Sequence, residues 1–131
     1  MKKKTVEWLD RALIIGPRYT LCTTKAQFAA ALKEIKVENY DREFLDTGVD
    51  ACVHYFGCDS GPVVCIVCVN MKEMQQYDGI EIAVILVHES VHIWQKYVKY
   101  IGEQAPSKEF EAYSIEAISE GLMREYAEQT K

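Results

Sequence analysis

Two of the chain's three histidines, His88 and His92, stand four residues apart in the stretch LVHESVHIWQ, with Glu89 directly after the first. Imidazole nitrogens are ordinary zinc ligands, and side chains at i and i+4 project from one face of a helix, so both can reach one ion. Glu89 falls about 100° round that helix, beside the metal face and not on it. A carboxylate so placed suits a general base that polarises metal-held water without itself binding the metal. Chance is a poor account of the pattern: a shuffled chain of this composition yields HExxH roughly 0.005 times. The competing reading is two histidines that merely share a helix, satisfied in the core or at the surface.

A catalytic zinc usually takes three protein ligands and keeps the fourth position for water. The remaining histidine is His54, and the C-terminal stretch offers Glu109, Glu111, Glu116 and Glu120. Helical phase separates them. Ile115, Ile118, Leu122 and Tyr126 define a buried stripe with Glu111 in its middle, whereas Glu109, Glu116 and Glu120 cluster on a solvated side. A lone carboxylate on a buried stripe is costly unless it is paired or binds metal, so Glu111 is the expected third ligand. His54, in the strand-like run ACVHYF, either reaches substrate and an oxyanion or is an ordinary half-buried strand histidine.

The elements that must position these groups are legible in outline. Thr5 to Ile15 reads as a short helix stopped by Gly16-Pro17, and Tyr19 to Thr23 as a short strand. Thr24 with Gln27 makes a capping box for a helix of about Lys25 to Ile35, and Glu38 to Gly48 is polar and irregular. Ala51 to Phe56 and Pro62 to Asn70 are β-rich runs joined by a Gly57–Gly61 hairpin signal; the second is apolar on both faces, as a central strand would be. Asp78, with Glu81 in the reciprocal position, caps a long helix ended by Gly102. Its apolar face is expected to comprise Leu86, Val87, Val91, Trp94, Tyr97, Val98 and Ile101. Pro106 and Ser107 open a last helix reaching about Ala127. This order predicts a single α+β domain over residues 1–131, with a small, mainly antiparallel sheet and two long C-terminal helices.

Composition limits the partners. At 131 residues, 49% hydrophobic and 27% charged, the chain has the make-up of one globular domain. Net charge is −5 and the basic tract stops at Lys2–Lys4, which argues against nucleic acid. An apolar run of leader or membrane-spanning type is not seen, which gives an expectation of the cytosol and of no membrane partner. Five cysteines, an odd number, sit in apolar surroundings. Cys65 and Cys68 have CxxC spacing, but a strand puts i and i+3 on opposite faces, so reduced core thiols are expected.

HESVH followed, after a short loop, by a glutamate on the next helix resembles the gluzincin zinc metallopeptidases, and in size the small single-domain minigluzincins. The segment PSKEFEAYSIEAI is similar to the glutamate-ligand helix of small HExxH proteins of bacteria and their phages. The resemblance covers about Val84 to Met123. It departs from the ExxxD pattern of some members, since Ile115 stands four after Glu111. Aligning Glu109 gives ExxAY, and Glu116 with Glu120 mimics ExxxD, so Glu109 and Glu116 are rival third ligands. The resemblance implies a zincin-like fold, Zn2+ as cofactor and a peptide or protein substrate hydrolysed in the bacterial host cytosol. Glu89 would then carry a proton from the metal-held water to the leaving amine, and an exposed strand edge would hold an extended peptide. The alternative is a zinc-stabilised structural or interaction protein that keeps the motif without turnover.

Overall fold

In the computed structural model, which describes residues 15–57 and 62–131, three strands and four helices form in the order β1 (Arg18–Cys22), α1 (Lys25–Glu34), β2 (Ala51–Phe56), β3 (Val64–Val69), α2 (Met71–Met74), α3 (Gly79–Ile101) and α4 (Lys108–Gln129). The expected first helix and the tip of the hairpin fall at residues 5–14 and 58–61, outside the described residues.

The caps follow the sequence. Thr24 Oγ1 accepts from Gln27 N, and the Gln27 side chain accepts from Thr23 N, one residue before the N-cap. Asp78 and Glu81 exchange bonds as a full capping box, and Gly102 ends α3 at φ 73°, the left-handed region glycine tolerates. Ser107 caps α4 through Phe110 N. The single-turn α2, capped by Asn70, carries no signal that marks it out from a loop.

The sheet order is β1-β3-β2, with the apolar run VCIVCV as the central strand. β2 pairs antiparallel with β3, but β1 pairs parallel with it, so the sheet is mixed and not mainly antiparallel. Chain path explains this. α1 brings the chain back along the sheet, and the irregular residues 36–50 cross it once more, so β2 opposes β1 in direction and β3 matches it. Which free edge β1 joins is a matter of tertiary packing that local pattern does not encode.

Alternation along the strands separates two cores. Leu21, Val53, Cys65, Val67 and Val69 face α3 and α4 and pack with Leu86, Ile93, Trp94, Ile118 and Leu122. Cys22, Cys52, Ile66 and Cys68 face α1 and the irregular segment, against Phe28, Tyr40 and Phe44. The CxxC cysteines accordingly lie on opposite faces, and Cys22, Cys52, Cys65 and Cys68 are free thiols. Cys22, Cys68 and Cys52 form one row across the three strands through direct register pairing. Gly121 of α4 lets Tyr19 lie against the helix, since a Cβ there would run into the phenol oxygen.

Candidate metal centre

α3 carries the pair where the sequence puts it. His88 and His92 are exposed on adjoining turns, their rings edge-to-face with centroids 4.8 Å apart and their Nε2 atoms 3.1 Å apart. Two ligands of one tetrahedral zinc at about 2.0–2.1 Å stand roughly 3.3 Å from each other, so the two nitrogens converge as one ion requires. His92 Nδ1 faces Gln95 Oε1 at 3.2 Å, an acceptor that directs the His92 proton to Nδ1, so His92 Nε2 accepts from His88 Nε2, whose proton a metal would displace. The spacing of these two nitrogens fits one zinc ion. Among the described residues, no cluster of three or more His, Cys, Asp and Glu side chains is close enough to hold an ion.

Glu89 is buried at 6% exposure, while its two histidine neighbours are not. Burial raises its pKa, and the charges of His88 and His92 pull it back down. The buried side of α3 consists of Leu86, Glu89, Ser90, Ile93, Trp94 and Tyr97, whereas Val87 and Ile101 are exposed. This is turned from the apolar face read in the sequence. The difference arises because α3 lies over the sheet and beside α4, so the carboxylate of Glu89 meets the β2 side instead of solvent.

That side holds a cleft of about 250 Å³ in which Glu89, His88 and His92 face Ala51, Cys52, Val53 and Tyr55 of β2 and Arg42, Asp46 and Val49 of the preceding segment. β2 is an edge strand, so its outer edge has no strand partner among the described residues. Tyr55, with its pKa pushed up to about 12 by burial, lies under Lys96 Nζ at 5.4 Å from the ring centre. Arg42 Nη2 bonds both oxygens of Asp46, at 3.3 and 3.2 Å. Sequence reasoning passed over Arg42 and Asp46, because a polar stretch without periodicity does not say what it lies against.

The other candidates lie elsewhere. Glu111 does not meet the histidine pair: its Oε2 accepts from Trp94 Nε1 at 3.2 Å, and Trp94 projects roughly 240° round α3 from His88. It is also exposed and not buried, because the first turn of α4 sits at the rim of the helix pair. Glu109 is exposed in the same turn. Glu116 and Glu120 line, with Val87 and Ser119, the groove between α3 and α4.

His54 is on the far face of the sheet, fully buried, and takes no part in the cleft. Its Nε2 lies 3.0 Å from the Phe44 carbonyl, which can only accept, so that nitrogen carries the proton and Nδ1 accepts from the Tyr40 hydroxyl at 2.9 Å. Its ring packs on Phe28 at 4.6 Å, and burial lowers its pKa. Of the two readings open to His54, the packed strand histidine is the one realised. No helix of the described residues is long and apolar enough to cross a membrane. Comparison with protein-family models, curated proteins and solved structures gives no match, so the chemistry rests on this geometry alone.

Proposed function

We propose that the chain is a zinc-dependent peptide hydrolase of the gluzincin type, with His88 and His92 as two metal ligands and Glu89 as general base. The observation that carries this is the convergence of two exposed Nε2 atoms to 3.1 Å beside a buried carboxylate that shares their cleft. Bound zinc supplies Lewis-acid polarisation of a carbonyl and of water. Glu89, whose burial raises its proton affinity, takes a proton from water and delivers it to the departing amine. The unpaired edge of β2 holds the substrate backbone in extended form along the cleft.

The third ligand is a glutamate of α4, and two compete for it. Glu111 would have to exchange its bond to Trp94, whereas Glu116 has no such bond to give up among the described residues and lines the same groove as Val87, the residue before His88. Glu116→Gln is therefore expected to lower zinc occupancy more than Glu111→Gln, and the reverse ranking returns the position to Glu111. For the activity itself, zinc content and cleavage of a peptide library are compared in wild type and Glu89→Gln. Zinc bound in both, with cleavage only in wild type, supports the hydrolase. Zinc bound in both with equal inertness favours a zinc-stabilised interaction protein, and absence of zinc removes both readings.

A further inference from the structure

We propose that Arg42 anchors a carboxylate of the substrate, so that the cleft selects peptides carrying a negative charge close to the bond that is cut. The proposal deepens the hydrolase reading and rests on it. Arg42 faces His88, Glu89 and His92 across one cleft, from a segment that has no regular structure. Such a segment would ordinarily leave a guanidinium free to wander. Here it is pinned on both sides of Arg42. Tyr40 donates to buried His54, the Phe44 carbonyl accepts from the other nitrogen of the same ring, and Phe28 packs against Tyr40 and Phe44.

The head group is held as well. Its Nη2 bonds Asp46, and the guanidinium lies near enough to the Tyr40 hydroxyl to favour that group's ionised form, against the larger effect of desolvation. Asp46 takes one nitrogen of the planar fork and the side chain is 43% exposed, which leaves N–H donors of the guanidinium within reach of a further acceptor. Stability is a weak reason for the arrangement. The Arg42 and Asp46 side chains are 43% and 52% exposed, and ion pairs so exposed contribute little. A fixed, solvent-accessible guanidinium at a catalytic cleft is instead what recognition of a carboxylate needs. Lys96, over Tyr55 of the same cleft, adds a second positive charge. The source of the carboxylate is either the C-terminus of a peptide or an acidic side chain.

The test is calorimetric binding to zinc-loaded Glu89→Gln protein, which separates binding from turnover. Three probes are N-acetyl-tetraalanine, its C-terminal amide, and the same amide with one alanine replaced by glutamate. At least one charged probe is expected to bind about 10- to 100-fold more tightly than the neutral amide, and the one that does identifies the source. Arg42→Gln should erase that preference and Arg42→Lys restore part of it, with circular dichroism unchanged for both. Equal binding of all three probes, none binding at all included, overturns the proposal, as does a preference that survives Arg42→Gln. Zinc content is measured separately. A protein that takes up no zinc sinks the hydrolase reading, while the Arg42-dependent preference is still read on the metal-free chain.

Discussion

The three histidines of this chain occupy two opposite kinds of environment on the two sides of one sheet. His54 is fully buried and has a partner for each ring nitrogen, whereas His88 and His92 are exposed and point their Nε2 atoms at one another. Burial with both nitrogens satisfied fixes a tautomer and holds packing together. Exposure, with two ring nitrogens sharing one hydrogen bond at the surface, leaves both rings within reach of a solute. The same residue type is thus packed into the core in one place and presented to solvent as a converging pair in the other, and the difference lies in what surrounds the ring.

Zinc affinity should separate the two environments most sharply. His88→Ala or His92→Ala is expected to weaken zinc binding by more than the roughly 10- to 100-fold typical of a residue that only supports a ligand. His54→Ala should leave zinc affinity within a few-fold, measured by competition with a chelating dye. A large loss from His54→Ala would merge the two classes.

Stability should rank them the other way. In metal-free protein, His54→Ala opens a cavity and strands the Phe44 carbonyl and the Tyr40 hydroxyl, at a cost of about 2–4 kcal/mol in urea unfolding. His88→Ala, on an exposed face, should stay within about 0.5 kcal/mol. Glu111→Ala falls between, at about 1 kcal/mol, through the lost bond to the Trp94 indole.

The pH dependence of the chelated protein is a finer probe. Burial lowers the folded pKa of His54 below 6.5, so the unfolded chain binds more protons and stability falls as pH drops from 6.5 towards the folded value. Glu89 has the opposite sign. Its folded pKa is raised above 4.5, so its ionised form destabilises the fold at neutral pH, and stability is regained as pH falls through the raised value. Glu89→Gln should therefore raise the melting temperature at pH 8 by a few degrees and steepen the loss on acidification. An unchanged melting temperature would mean that Glu89 is solvated in solution.

The sequence foretells those elements whose signals are local. The capping pairs at Thr24 and Asp78, Gly102 at the end of α3, and the bounds of β2 need only neighbours a few residues away. The histidine pair is legible for the same reason, since four-residue spacing in a helix is itself geometry. Features that depend on distant chain are not legible. The parallel pairing of β1, the burial of Glu89 and Ile93, and the placing of Arg42 opposite α3 follow from how helices and loops settle on the sheet. Glu111 shows the limit best. Helical phase put it in the middle of a buried stripe, but phase does not say that the first turn of α4 lies at the rim, where Glu111 is exposed and accepts from Trp94.

The row of Cys22, Cys68 and Cys52 has a practical consequence. Cys68 and the opposite-facing Cys65 are wholly inaccessible, and burial pushes the Cys65 thiol up to about 12, far from the thiolate that alkylating reagents need. Each thiol stands on one face of the central strand, so label reaches Cys65 when α3 and α4 lift from the sheet and Cys68 when α1 and the residue 36–50 segment lift, and the two iodoacetamide rates time the opening of the two layers separately.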